Sequence, residues 1–220
     1  MGRAEFLSRL ISAGILAAVL LFMSGCGAGK KVPEAAVELD PGRQRIADWY
    51  ALMREKHDAP EMEKLESVNN FFNRLEFVDD SIHWGKDDHW ATPREMLISN
   101  GGDCEDFATA KYFTLLRLDI PDEKMRLTYV KSLKLNQSHM VLSYYPDPAA
   151  DPLVLDNLIT AIRFASQRPD LLPVYSFNAR GLWLTRKQSS YRLGGTERMS
   201  LWRELQARFS REVHAAPPPN

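Results

Sequence analysis

Cysteine is scarce in this chain: 220 residues carry two, Cys26 and Cys104. A single pair of thiols rules out a multi-disulfide scaffold, so stability has to come from a hydrophobic core. An excess of either charge is missing too. The 28 Lys and Arg against 29 Asp and Glu leave a formal net charge of -1, and no polybasic surface of the kind that grips nucleic acid is present. There is no internal repeat. The length suffices for one domain with a core, plus tails.

The one long apolar run is confined to the N-terminus. In "MGRAEFLSRLISAGILAAVLLFMSGCG", Arg3 and Arg9 precede a hydrophobic stretch from Ile11 to Phe22, followed by small residues and Cys26. A basic region ahead of an apolar segment too short for a comfortable membrane span is the layout of an export signal. Met23-Ser24-Gly25-Cys26 resembles a bacterial lipoprotein box, with methionine in the position usually held by leucine. The expected processing is removal of residues 1–25 as a lipoprotein signal peptide and acylation of Cys26. The alternatives are an ordinary secretory signal cut nearby and an uncleaved anchor. Gly27 rather than aspartate follows the cysteine, so the resemblance implies a periplasmic protein lipid-anchored to the outer membrane. Cys104 would then be a lone thiol in an oxidising compartment, a liability that a function would explain.

Beyond the signal, residues 26–42 lack periodicity and read as a flexible tether. A domain is expected over 43–212, with a Pro-rich tail over 213–220. Ile46, Trp49, Tyr50 and Met53 form one helical stripe; Met62, Leu65, Val68, Phe72 and Leu75 form a second. Residues 79–91, "DDSIHWGKDDHWA", read as a polar, aromatic loop. Thr92, Pro93 and Glu95 then start a capped helix, which should stop at Asn100-Gly101-Gly102, where the glycines supply freedom for a tight turn. Another helix starts at "GGDCEDFATAKYF" with Asp103 as N-cap, which places Cys104 in the first turn. After "LDIPDEK" come short runs rich in valine, leucine and tyrosine: "MRLTYVKSL", "SHMVLSYYP" and "PLVLDNL". "PVYSFN" and "GLWLT" flank Ala179-Arg180 as a hairpin, and an amphipathic helix is expected near 197–212. Helices followed by an antiparallel meander give the α+β class.

A cysteine nucleophile needs a base and a group that fixes the base's tautomer. His139 sits in one strand-like run and Asp156 ends the next, so neighbouring antiparallel strands could bring them side by side, facing a helix start that carries Cys104. This is the papain-like and transglutaminase-like layout. The bland reading is a structural histidine and a turn aspartate, with His57, His83, His89 and His214 as competing bases. His83 and His89 could also pair on a metal, but lack a third ligand and fit a solvated loop. Trp90 reads either as a wall of the active site or as a buried loop aromatic. Carboxylates crowd the thiol and should suppress its ionisation, while the helix N-terminus partly offsets them. Asp103, Glu105 and Asp106 offer hard oxygen ligands that suit calcium better than zinc, and a bound dication would reverse the local field. The alternative is a capped, solvated helix start.

The segments "DDHWATPREML", "GGDCEDFATAKYFTLL", "DEKMRLTYVKSLKLNQSHMVLSYYP", "PLVLDNL" and "RPDLLPVYSFNARGLWL" resemble the bacterial transglutaminase-like cysteine proteases of the LapG type, in order, from about Trp49 to Leu184. The resemblance implies that Cys104, His139 and Asp156 are nucleophile, base and orienting acid. It also implies that Asp103 and Glu105 bind Ca2+, with Asp106 a further candidate. The implied activity is that of a calcium-dependent periplasmic endopeptidase. It would cut a very large surface adhesin near its N-terminus after a pair of alanines, releasing it and dispersing a biofilm. An inner-membrane cyclic-di-GMP receptor would hold the protease back. Family members are generally soluble in the periplasm, so a lipid tether here would strain capture by such a receptor. Acyl transfer to an amine, and a non-catalytic lipoprotein binding module, are the competing functions.

Overall fold

The computed structural model describes residues 40–186 and 189–215. Cys26, the signal and the tether up to residue 39 lie outside the described residues, as does the tail from residue 216.

Helix α1 (Pro41–Lys56) starts two residues ahead of the expected Arg43, because Asp40 caps it. The Asp40 carboxylate accepts from the Gly42 and Arg43 amides at 3.0 and 3.2 Å, and Pro41 occupies the first turn, where no amide is missed. Its stripe of Ile46, Trp49, Tyr50 and Met53 is buried as read. Helix α2 (Glu61–Phe72) buries Leu65, Val68 and Phe72, but Met62 stays 44 % exposed. Met62 lies in the first turn, and the buried apolar stripe begins at Leu65.

The 79–91 segment, expected to be a polar, aromatic loop, contains one helical turn, α3 (Asp80–His83). Just ahead of it a two-residue strand β1 (Glu76–Phe77) pairs in parallel with β2 (Gly101–Gly102). Helix α4 (Pro93–Ser99) carries the expected capping box of Thr92 and Glu95. Its end differs in mechanism: Asn100 takes the left-handed conformation at φ 66, while the two glycines run on as strand. Glycine is required there by close approach. A Cβ on Gly101 would come within 2.7 Å of the Glu76 carbonyl oxygen, and one on Gly102 would collide with the Asp106 carboxylate.

Helix α5 (Cys104–Arg117) is buried on all sides from Asp106 to Leu115, as befits a helix enclosed by other elements. Trp49 of α1 donates its indole N–H to Thr114 at 2.9 Å, and Lys64 of α2 donates to the Leu118 carbonyl at 2.8 Å. Beside α5 lies an antiparallel sheet built from β3 (Met125–Ser132), β4 (Gln137–Tyr144), β5 (Leu153–Leu155), β6 (Arg163–Phe164), β7 (Leu171–Asn178), β8 (Gly181–Arg186) and β9 (Ser189–Gly194). The order across it is β6-β5-β4-β3-β7-β8-β9. The expected hairpin joins β7 to β8, with the Asn178 side chain accepting from the amides of Arg180 and Gly181. Helix α6 (Ser200–Ala215) starts later and runs further than 197–212. Trp202 and Leu205 enter the core, and Phe209 stacks on Phe113 with ring centroids 4.2 Å apart. Among the described residues no helix is long and apolar enough to cross a membrane.

Candidate active site

Register brings two of the sequence-predicted residues, His139 and Asp156, together. Antiparallel pairing of β4 with β5 places Leu142 opposite Leu155, so Asp156 leaves the end of β5 beside the part of β4 that carries His139. The His139 Nε2 and Asp156 Oδ1 atoms are 2.7 Å apart, with both side chains almost completely excluded from solvent. Asp156 is an anion saturated with donors. Oδ1 also accepts from the Leu158 amide at 3.1 Å, and Oδ2 accepts from Arg168 at 2.7 Å. Burial alone would push this carboxyl up, but the hydrogen bond and charge of His139, with the Leu158 and Arg168 donors, outweigh it and hold the group at about 2. With Nε2 engaged, Nδ1 is the imidazole nitrogen left for chemistry.

Cys104 opens α5, and its sulfur lies near the backbone N–H of Met140, the residue after His139. Cys104 and His139 line one cleft of about 300 Å³, together with Phe77, Asp79, Asp103, Glu105, Tyr129, Gln137 and Ser138. In this arrangement the thiol donates to Glu105 Oε2 at 2.7 Å. Burial pushes the thiol up strongly, and the Glu105 charge and hydrogen bond and the Asp103 charge add to it. The helix N-terminus therefore does not by itself free a thiolate.

The carboxylates beside the thiol explain what could. Asp103 is the N-cap by position, yet its side chain caps nothing. It turns instead toward Asp106 of α5 and Asp80 of α3, so that ligand atoms of all three lie within 4.8 Å of one another. Each keeps one buried oxygen without a hydrogen-bond partner: Asp80 Oδ1, Asp103 Oδ1 and Asp106 Oδ2. The companion oxygens of two are pinned by backbone, Asp106 Oδ1 by the Ala91 amide at 2.6 Å and Asp80 Oδ2 by the His89 amide. Burial, then mutual repulsion with Glu105 among the neighbours, pushes Asp103 up to about 9 and Asp80 and Asp106 upward too. Three orphaned carboxylate oxygens converging from two elements fit a hard dication. Gly102 makes room for this cradle, since a Cβ there would occupy the Asp106 position.

Glu105 stands outside the triplet, because its side chain is turned to the thiol, although its charge reaches all three members. Asp80 was missed in the sequence reading. It comes from the irregular 79–91 segment, which follows β1 where that strand pairs with β2 just ahead of α5. The competing histidines are elsewhere. His57 is exposed beside Asp58 and Asp119, and His214 contacts the Ser210 carbonyl. His83 and His89 flank the Trp84 ring at 4.7 Å each rather than converging on a metal. Trp90 is a buried loop aromatic stacked on Phe177, and its carbonyl accepts from Arg208 of α6.

A family described as bacterial transglutaminase-like cysteine proteinase, BTLCP, matches residues 48–185. The chain belongs to this family. It is similar to solved structures of Legionella pneumophila LapG. The EGTA-treated form shares 45% identity over 78% of this chain and 91% of that one, with a TM-score of 0.72. The calcium-bound form shares 47% over 78% and 92%, with a TM-score of 0.67. No curated protein matches the chain. The α+β architecture is accordingly that of the transglutaminase-like cysteine proteinases, and the protein is a cysteine protease.

Proposed function

We propose that the protein is a calcium-dependent periplasmic cysteine endopeptidase that cuts a large cell-surface adhesin near its N-terminus, after a pair of alanines. The observation that carries the catalytic reading is the buried 2.7 Å contact between His139 and Asp156, with His139 and Cys104 walling one cleft. Cys104 Sγ attacks the scissile carbonyl carbon and its proton passes to His139 Nδ1. Asp156 holds the Nε2–H tautomer and stabilises the imidazolium. The amides of the first turn of α5, which have no intrahelical carbonyl, face the oxyanion. The imidazolium protonates the departing amine, and water then hydrolyses the thioester.

Asp80, Asp103 and Asp106 are the residues that would hold Ca2+, with Glu105 as the neighbouring fourth carboxylate. Similarity to a protein solved in calcium-bound and EGTA-treated forms supports the choice of ion. When bound, the ion supplies positive charge that offsets the carboxylates beside the sulfur. Release of the adhesin would disperse a biofilm, and an inner-membrane cyclic-di-GMP receptor would sequester the enzyme. Acylation of Cys26 would anchor it to the outer membrane beside its substrate. Support for these readings comes from the resemblance and from the N-terminal sequence.

The test is incubation of the protein with an N-terminal adhesin fragment containing an Ala-Ala pair, followed by sequencing of new N-termini. Cleavage after the alanines is expected, abolished by Cys104→Ala and by EGTA. Cleavage that persists in both would refute the proposal, and an amine conjugate in place of a free carboxylate would mean acyl transfer.

A further inference from the structure

We propose that Arg168 is a positioning residue for proteolysis, holding the Asp156 carboxylate, and through it the His139 imidazole, in the orientation the reaction needs. The inference rests on the Cys104–His139–Asp156 reading above and adds a member that lies behind it.

Asp156 follows a strand of only three residues, β5, so regular structure does little to fix it. Its backbone carbonyl is tied to α2 through Asn73 Nδ2 at 2.8 Å. Its second carboxylate oxygen is fixed by Arg168 at 2.7 Å, leaving the first for His139. Arg168 is 1 % exposed in its side chain, and it follows the short turn at Ala165–Gln167. Asp170 holds the Nε edge of its guanidinium, accepting from Nε at 3.0 Å and, at 2.9 Å, from the same Nη2 that donates to Asp156. The result is an unbroken relay, His139–Asp156–Arg168–Asp170, leading from the cleft toward solvent, where Asp170 is 28 % exposed.

A buried ion pair of this kind is a poor device for stability, since well-packed apolar residues often serve as well or better. Its value is different. A buried carboxylate without counter-charge would take up a proton and could no longer accept from Nε2–H, freeing the imidazole to adopt the other tautomer. The charged groups facing Asp156 are His139 from β4, Arg168, and Lys111 from α5, with Asp170 acting through Arg168. Lys111 is fully buried, its Nζ has no hydrogen-bond partner and burial lowers it to about 7, so it gives Asp156 neither direction nor a fixed charge. Of these, Arg168 alone carries a permanent charge on a directed donor, since His139 is charged only when protonated.

The experiment is a double-mutant cycle in the full chain with saturating calcium, measuring kcat and KM on the adhesin fragment for wild type, Arg168→Met, Asp156→Asn and the double variant. Arg168→Met should lower kcat about 10- to 100-fold with KM within about threefold, and Arg168→Lys should recover part of the loss. The acid limb of kcat should move to higher pH in Arg168→Met, because Asp156 loses one of the three donors that keep it ionised. In the Asp156→Asn background the same change should cost under about threefold, since it acts through the carboxylate. An Arg168→Met protein with lowered Tm but unchanged kcat and pH limb would overturn the inference, as would a full multiplicative loss in the double variant. If Arg168→Met does not fold, Asp170→Asn, which loosens the guanidinium from the solvent side, should lower kcat several-fold; an unchanged kcat would also overturn it. Full activity in Asp156→Asn itself would remove the triad reading, and this inference with it. Loss there with none in Arg168→Met removes this inference alone.

Discussion

Asp156 and the aspartate cluster around Asp103 are both withdrawn from solvent, yet they behave in opposite ways. Asp156 meets three donors and is held at about 2, whereas Asp103 meets other carboxylates and is driven up to about 9. Burial is common to both, so burial does not decide the outcome; the partners do. At Asp156 the protein supplies the donors itself from His139, Leu158 and Arg168. At Asp80, Asp103 and Asp106 it leaves one oxygen on each without a partner. The first site is complete within the chain, and the second is shaped for a cation from outside.

Breaking either side tests the contrast. The largest effect is expected from removing the cation. EGTA should abolish cleavage, a loss of well over about a thousandfold, reversed by calcium in excess, because repulsion then keeps the thiol protonated. Retained activity in metal-free buffer would remove the electrostatic argument. Next is Asp156→Asn, expected to cost about a thousandfold in kcat with binding of the substrate fragment preserved, by analogy with loss of the orienting acid in serine enzymes. A loss confined to KM would contradict the orienting role.

Smaller effects concern stability. Calcium at about a hundred times its Kd should stabilise the fold by about 2.7 kcal/mol, a rise in Tm of roughly 5–10 °C by scanning calorimetry. Magnesium, which dehydrates reluctantly, should do less. The smallest is a pH effect at Asp156. Its folded value of about 2 lies below the ordinary 3.8. It therefore stabilises the fold fully above about pH 4 and loses that contribution as pH falls through 2. In urea titrations the stability gap between wild type and Asp156→Asn should narrow by about 2 kcal/mol from pH 6 to pH 2. A gap independent of pH would show that Asp156 is not the depressed carboxylate.

How far these sites can be read from sequence follows from how each is built. Cys104, His139 and Asp156 stand on or beside regular elements, one at a helix start and two in or at the end of runs rich in valine, leucine and tyrosine, so local rules place the elements, while the family resemblance singles out the three residues. Asp80 and Arg168 do not. Asp80 follows β1 in a stretch without periodicity, and the pairing just ahead of it is a two-residue parallel one. Arg168 lies after a short turn, and nothing local distinguishes it from a surface arginine. Asp103 teaches the converse: the N-cap position was legible, but its side chain serves the carboxylate cluster instead of the amides. The short strands β1, β2 and β6 escaped for want of length, since two residues carry no alternation. The glycines at 101 and 102 were legible as a break, although close packing, not a turn, is what requires them.

The claim on which the account stands is that three aspartates from two elements hold a catalytically required cation. Cleavage of the adhesin fragment by wild type and by Asp80→Asn, measured across a calcium titration, tests it most directly. Asp80 lies outside the cleft-lining residues, and the hydrogen bond its side chain accepts comes from the His89 amide. The account predicts that Asp80→Asn needs at least about tenfold more calcium for half-maximal cleavage while reaching a similar maximum. An identical calcium dependence in the two proteins would contradict it.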